Sequence, residues 1–151
     1  MSTRLSFRSR LAILTGRIVI RILRLFGRGA TTLPGRIALM IDPLLLNRLT
    51  KNQRVFLVTG TNGKTTTVRV LRTLLEQQGL NVTTNTSGAN LNTGLATTLI
   101  DAEPSVRRAV RQGKGNAFVF EIDEAFFGKI ADELNPSVCV VTNFFVDQIS
   151  M

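Results

Sequence analysis

A glycine-rich segment, residues 59–67, contains the residue types and spacing that most clearly indicate chemistry. It reads Thr-Gly-Thr-Asn-Gly-Lys-Thr-Thr-Thr, follows the apolar run 55–58 and precedes apolar residues at helical spacing. A strand, a glycine loop, Lys-Thr and a helix form the layout of a phosphate-binding loop. The residues predicted to bind the phosphates of a nucleotide are Gly60, Thr61, Asn62, Gly63, Lys64, Thr65 and Thr66.

Each of these residue types suits a phosphate-binding loop for a physical reason. Gly60 and Gly63 let the backbone turn tightly and approach a ligand without a Cβ in the way, so that backbone N–H groups point at an anion. Lys64 is the expected catalytic residue because its charge can reach a terminal phosphate, and Thr65 offers a hydroxyl to magnesium. The general pattern places another glycine where this chain has Val58. A strand–turn–helix whose glycines only make the turn is therefore the alternative.

The pattern beyond residue 55 predicts an α/β fold with a parallel sheet covered on both faces, because strands alternate with helices. The predicted strands are 55–59, 80–84, 117–122 and 137–142. The predicted helices are one that follows the loop and ends at Gly79, then 89–100, 105–112 and 124–134. In such sheets ligands bind outside the carboxyl ends of the strands, which makes the residues that follow each strand candidates for a site.

Glu121 is the most informative carboxylate, since it follows a buried strand and is costly there unless it is paired or bound to a metal. We predict that Glu121 and Thr65 hold magnesium; a salt bridge to a lysine or arginine is the alternative. Asp123 and Glu124 are expected to face solvent or to cap the next helix. The candidates for substrate binding at the other strand ends are Ser87, Asn90 and Asn143. Plain helix capping by Ser87 or Asn90 is their alternative role.

The amino-acid composition excludes some kinds of catalytic and metal site. The chain has no histidine, which removes histidine acid–base catalysis and most zinc sites. Its single cysteine, Cys139, lies in an apolar run and is predicted to be a buried thiol in a reducing compartment. Three arginines near the end of the predicted helix 105–112 are interpreted as a solvated face rather than a nucleic-acid site.

The net charge of +9 is concentrated in residues 1–36, which contain eight arginines, and the first acidic residue is Asp42. Arginines and apolar residues follow helical spacing on two different faces; the apolar face consists of Leu11, Leu14, Ile18, Ile22 and Leu25. Residues 27–35 are interpreted as a linker, and residues 37–49 as a short helical piece. The basic helix could pack on its own domain, contact an anionic membrane surface, or serve as a transit segment.

Four motifs together resemble the MurT branch of the Mur ligase family. They are the loop at residues 59–67, Ser-Gly-Ala-Asn-Leu at 87–91, Phe-Glu-Ile-Asp-Glu-Ala at 120–125, and Val-Thr-Asn-Phe-Phe at 141–145. The similarity covers nearly the whole chain and implies the first part of a Mur ligase central domain, residues 37–151, after a basic N-terminal region, residues 1–36. Proteins of this type continue far past residue 151, with a cysteine-rich zinc-binding insert and a closing domain. We therefore expect a truncated domain, without that zinc site.

The resemblance implies an ATP-dependent, magnesium-dependent ligase that works in the cytoplasm on peptidoglycan precursors. Its members phosphorylate the α-carboxylate of D-glutamate in lipid II, and a glutamine amidotransferase subunit of GatD type supplies ammonia. The product is D-isoglutamine, formed through an acyl phosphate. Peripheral membrane contact is possible for such a protein, and no nucleic-acid partner is expected. The alternatives are a nucleotide-binding module without ligase activity and another ligase of the superfamily, such as a cyanophycin synthetase.

Overall fold

The computed structural model describes residues 5–27, 32–85, 89 and 91–143. Within these ranges three helices precede an alternating β/α segment. The first three helices are α1 (Phe7–Leu25), α2 (Leu33–Ile41) and α3 (Leu45–Thr50). The following segment consists of β1 (Arg54–Thr59), α4 (Lys64–Gln77), β2 (Asn81–Thr84), α5 (Asn92–Arg111), β3 (Asn116–Glu121), α6 (Glu124–Leu134) and β4 (Val138–Val141).

The four strands form an all-parallel sheet in the order β2-β3-β1-β4. This architecture confirms the predicted α/β fold class. Because all four strands run in the same direction, their carboxyl ends lie on one edge of the sheet. The loop between β1 and α4, the end of β3 and the end of β4 are thereby brought together.

Both faces of the sheet are packed. On one face, apolar residues of β1 and β3 contact helices α5 and α6; they include Leu57, Phe118 and Phe120. The Phe118 and Phe120 rings stack with their centroids 5.9 Å apart. On the other face, Val58 and Val119 pack with Val68 of α4. Alternate residues of β1 therefore contact opposite layers, as expected for a strand buried on both faces.

Helix α5 corrects the sequence interpretation. The sequence predicts two helices, 89–100 and 105–112, but one helix runs from Asn92 to Arg111 with Pro104 inside it. A proline in a helix interior removes one backbone hydrogen bond. Packing offsets this loss, because Leu99 is buried upstream of the proline and Val106 packs on the same core downstream.

The predicted linker 27–35 is also corrected at its end, because α2 begins at Leu33 and includes Pro34 and Gly35. Both residues are buried, and the Gly35 N–H donates to the Thr97 hydroxyl of α5 at 2.8 Å. The single helical piece predicted over 37–49 is two helices, α2 and α3, that are separated at Asp42 and Pro43. The buried Asp42 carboxylate accepts hydrogen bonds from Ser9 and Arg48, which connects α1 to α3.

Helix α1 packs on α2 and α5 through small residues and two isoleucines rather than through its predicted apolar face. The buried residues are Ser9, Ala12, Ile13, Gly16 and Ile20. Arg17 forms an ion pair with the buried Glu103 of α5. Of the three alternatives for the basic helix, packing on its own domain is the one that the structure shows, and it uses a different set of residues from the predicted apolar face. No helix in the described ranges is long and apolar enough to cross a membrane.

The prediction of a buried Cys139 thiol is wrong. Strand β4 lies at the edge of the sheet, and Cys139 is exposed there. Val138 and Val141 are exposed as well, whereas Val140 packs partly against the Val58 cluster. An apolar run therefore indicates a strand, but it does not fix the position of that strand within the sheet.

Candidate active site

The loop between β1 and α4 is held in place by the end of β4. The Asn143 carbonyl accepts a hydrogen bond from the Thr61 N–H at 3.1 Å, and the Asn143 Oδ1 atom accepts one from the Asn62 N–H at 3.0 Å. The Thr142 hydroxyl donates to the Asn62 carbonyl at 2.6 Å. Asn143, predicted to bind substrate, is therefore in direct contact with the loop through both its backbone and its side chain.

The two loop glycines have different surroundings. A Cβ at Gly60 would lie 2.2 Å from the Thr142 hydroxyl and 2.7 Å from the Asn143 carbonyl, and the φ angle of Gly60 is +129°. A Cβ at Gly63, where φ is +83°, would meet no atom closer than 3.9 Å. The absent side chain at Gly60 thus makes room for the end of β4. The absent side chain at Gly63 leaves open space at the start of α4.

The N-terminus of α4 is suited to an anion. No side chain caps it, and its first turn contains no acidic residue. The first N–H groups of an α-helix have no carbonyl one turn earlier to bond, and they carry partial positive charge. Gly63 is the N-cap and Lys64 the first residue. Uncapped donors and a lysine fit the phosphate groups of a nucleotide.

Lys64 folds back over the loop. Its Nζ atom donates to the Gly60 carbonyl at 2.5 Å and lies 3.8 Å from a carboxylate oxygen of Glu124. The Lys64 side chain is 14% exposed, so its charge lies in a partly desolvated position. An ammonium there can reach a phosphate bound at the start of α4.

Thr65 and Glu121 meet across the site, as the sequence interpretation requires. The Thr65 hydroxyl donates to Glu121 Oε2 at 2.8 Å. A hydroxyl and a carboxylate are hard oxygen ligands of the kind that magnesium takes together with substrate phosphates and water. No cluster of three acidic, histidine or cysteine side chains that could enclose a metal occurs among the described residues.

Asn85 fixes the backbone of Glu121. Its Oδ1 atom accepts a hydrogen bond from the Glu121 N–H at 2.8 Å, and its Nδ2 atom donates to the Glu121 carbonyl at 2.9 Å. The same Nδ2 atom donates to the Ala89 carbonyl at 3.0 Å. The sequence interpretation places Asn85 among the polar residues that follow the strands, but it assigns no role to this side chain.

Glu124 was also undervalued. It begins α6, as predicted, but its carboxylate also faces Lys64. The pKa of Glu124 is lowered from its ordinary 4.5, mainly by a backbone hydrogen bond at its own position; burial opposes this shift, and the Lys64 charge adds a smaller lowering effect. The sequence signal was its place three residues after Glu121 at the same sheet edge.

Ser87 and Asn90 lie outside the described residues, so their predicted contact with substrate stays a prediction. The segment that contains Ser87 is flanked by Asn85 and Ala89, which bond to each other. The remaining predicted site residues come together at one edge of the sheet: the loop, Glu121 and Asn143.

Comparison with known proteins agrees with this geometry. Residues 58–148 match the Mur ligase middle domain. The chain is 43% identical over 96% of its length to "Lipid II isoglutaminyl synthase (glutamine-hydrolyzing) subunit MurT" of Streptococcus pneumoniae. It is 32% identical over 91% of its length to the subunit of the same name from Staphylococcus aureus strain COL. It spans 31% and 30% of these two relatives.

A more distant similarity extends the comparison to a second kind of ligase. The chain is 31% identical over 75% of its length to UDP-N-acetylmuramate–L-alanine ligase of Mycolicibacterium vanbaalenii, of which it spans 20%. These relatives are named as ligases or synthase subunits, which disfavours a nucleotide-binding module without ligase activity. The matched domain covers the loop, Glu121 and Asn143. From this match, the chain belongs to the Mur ligase family.

Proposed function

We propose that this chain forms the ATP-binding part of a ligase that amidates the D-glutamate of lipid II to D-isoglutamine. The observation that carries the proposal is the juxtaposition of an uncapped α4 N-terminus, Lys64 and the Thr65–Glu121 pair. The similarity to MurT subunits supports the choice of substrate. A glutamine-hydrolysing partner subunit of GatD type would supply the ammonia.

In the proposed reaction, a carboxylate oxygen of D-glutamate attacks the γ-phosphorus of ATP and ADP leaves. Ammonia then attacks the acyl phosphate, and inorganic phosphate leaves with the carboxylate oxygen. The residues of this chain would position and neutralise phosphate charge, which is most of what catalysis of phosphoryl transfer requires. Lys64 and the first N–H groups of α4 would hold the phosphates.

Magnesium would neutralise phosphate charge in this reaction. Thr65 and Glu121 would hold the ion, and Asn143 would keep the loop in shape through its bonds to Thr61 and Asn62. Ser87 and Asn90 remain the proposed contacts to the acceptor substrate.

The nucleotide part of the proposal is tested by titration with a non-hydrolysable ATP analogue and magnesium. Lys64→Ala should weaken binding by about 2–4 kcal/mol, the range for truncating one partner of a desolvated charge pair. That corresponds to roughly 30- to 1000-fold in Kd. Lys114→Ala, an exposed lysine in the turn before β3, is the matched control and should bind as the wild type does. Equal affinity of the Lys64 variant and the control would exclude the phosphate-loop assignment.

We also propose peripheral contact with the anionic inner face of the membrane through α1. The predicted apolar face of α1 is exposed, opposite the face that packs on the domain; its members range from Leu11 at 44% to Leu25 at 85% exposed, and Phe7, one turn before Leu11, is 84% exposed. The exposed Arg10 and Arg21 lie beside this stripe on the helix, and the first acidic residue, Asp42, is buried. Such a helix can bury its apolar face among the lipid acyl chains while its arginines contact the anionic headgroups.

Co-sedimentation with phosphatidylglycerol and phosphatidylcholine vesicles tests the contact. We expect binding to the anionic vesicles that weakens with salt, because screening at physiological ionic strength acts over about 8 Å. Leu14→Gln should reduce binding, whereas Val110→Gln, at another exposed helix position, should not. Equal binding by both variants would contradict the proposal. So would self-association in solution that covers the predicted apolar face of α1.

A further inference from the structure

We infer that Asn85 is a positioning residue for Glu121, and that it links the backbone of this carboxylate residue of the proposed magnesium site to Ala89. This inference rests on the proposed function. It concerns a side chain that touches neither a phosphate nor a metal but holds the backbone of one that does.

The Asn85 side chain bonds both backbone polar groups of Glu121. One side-chain amide accepts from the N–H of Glu121 and donates to its carbonyl, at 2.8 and 2.9 Å. Strand β2 ends at Thr84, one residue earlier, and pairs there with Val119 of β3. The amide of Asn85 therefore continues the β2–β3 ladder by one step, where the backbone of β2 no longer does so.

The second support is the direction that this contact gives to Glu121. On its other side, β3 pairs with β1, where Val58 stands opposite Glu121 and the Val58 carbonyl accepts from the Ile122 N–H at 2.9 Å. With both sides of the strand end fixed, the Glu121 side chain is held beside Thr65. Without Asn85, the last residue of β3 would be held by β1 alone.

The third support is the chemical specificity of the contact. A side-chain amide presents a donor NH2 group and an acceptor oxygen on two adjacent atoms, which is the pair that the carbonyl and N–H of Glu121 require. An aspartate at position 85 could still accept from the Glu121 N–H. Its other oxygen, however, would face the carbonyls of Glu121 and Ala89, which now share the Nδ2 group. Asn85→Asp therefore changes one atom and converts two attractions into repulsions.

The bond to Ala89 extends the effect beyond Glu121. Ala89 is buried and follows the segment that contains Ser87. Since one Nδ2 group bonds both the Ala89 and the Glu121 carbonyls, the backbone position of Ala89 is coupled to that of Glu121.

The test measures the affinity of the 151-residue chain for a non-hydrolysable ATP analogue with and without magnesium. Asn85→Asp should leave the magnesium-free affinity within about twofold of wild type, because Lys64 and the α4 N-terminus are untouched. It should reduce the magnesium-dependent gain in affinity at least tenfold, as we also expect of Glu121→Gln. In the Asn85→Asp/Glu121→Gln double variant, the first substitution should add no further loss.

Asn81→Asp is the matched control, since Asn81 lies on the same short strand and bonds Asn116 through its side-chain amide, away from the site. This variant should keep the full magnesium-dependent gain. If Asn85→Asp does not fold, Asn85→Ser, whose side chain is too short to span both groups of Glu121, should show the same selective loss.

Three outcomes would overturn the inference. They are an intact magnesium gain in Asn85→Asp, additive losses in the double variant, and an equal loss in the Asn81→Asp control. A wild-type chain without any magnesium gain would overturn the proposed function as well, so the two failures are distinguishable.

Discussion

Alanine substitutions at the two loop glycines should have different effects, one on stability and the other on nucleotide binding, because the space beside each glycine differs. At Gly60 the space is occupied by Thr142 and Asn143 of the β4 end. At Gly63 the space is open and lies at the uncapped start of α4. Gly60→Ala should therefore mainly destabilise the fold, and Gly63→Ala should mainly weaken nucleotide binding.

The magnitudes follow from the local geometry. A side chain at φ +129° costs about 1–3 kcal/mol of backbone strain. A Cβ placed 2.2 Å from a hydroxyl adds about 1–3 kcal/mol of overpacking. Gly60→Ala should thus lower the free energy of unfolding by about 2–6 kcal/mol. At Gly63, with no atom closer than 3.9 Å, only the conformational cost of about 1–2 kcal/mol remains.

Urea denaturation measures the first effect, and titration with a non-hydrolysable ATP analogue measures the second. We expect Gly63→Ala to lose roughly tenfold in affinity, equivalent to about 1.4 kcal/mol, because its methyl group enters the space in front of the α4 N–H groups. Equal destabilisation by the two variants, or a Gly63→Ala variant with wild-type affinity, would refute the assignment of packing to Gly60 and ligand access to Gly63.

Two further predictions concern pH and the carboxylates of α6. Burial raises the pKa of Glu133 above 4.5. The ionised Glu133 carboxylate therefore destabilises the fold fully above the raised folded pKa and not at all well below pH 4.5, where the carboxyl group is protonated in both states. Glu133→Gln should stabilise the chain at neutral pH but not at pH 3, measured by urea denaturation. The pKa of Glu124 is lowered, so its charge stabilises the fold above pH 4.5 and ceases to do so as the pH falls through the folded value. Glu124→Gln should lose that stabilisation and bind nucleotide more tightly by calorimetry, because Lys64 no longer has a competing carboxylate; weaker binding would contradict this account of the free site.

Local patterns in the sequence were sufficient to predict the four strands, their parallel direction and the phosphate-binding loop, but not the order of the strands in the sheet. The helix after the loop, α6 at 124–134 and the meeting of Thr65 with Glu121 all follow from strand–loop–helix order and from the parallel direction of the strands, although α4 begins at Lys64, within the segment interpreted as loop. These features depend on neighbours in sequence or on a rule that holds for every parallel sheet.

The predictions that were wrong concern features determined by tertiary packing, which local sequence patterns do not indicate. Pro104 lies within a helix because residues on both sides of it are buried in one core. Helix α1 packs through Ala12 and Gly16, since small residues allow close approach to α2 and α5, while its larger apolar residues face outward. Cys139 is exposed on β4, the outermost of the described strands on that side of the sheet.

The central claim is that this site binds a magnesium–nucleotide complex, and Glu121→Gln tests it most directly. The substitution keeps the shape of the side chain and removes its charge. Magnesium dependence of ATP-analogue binding should be largely lost, at near-normal stability and unchanged magnesium-free affinity. Glu76→Gln, at an exposed carboxylate of α4 paired with Arg72, should behave as the wild type does. A Glu121→Gln variant that unfolds while its folded fraction keeps full magnesium dependence would show that Glu121 is a structural partner instead.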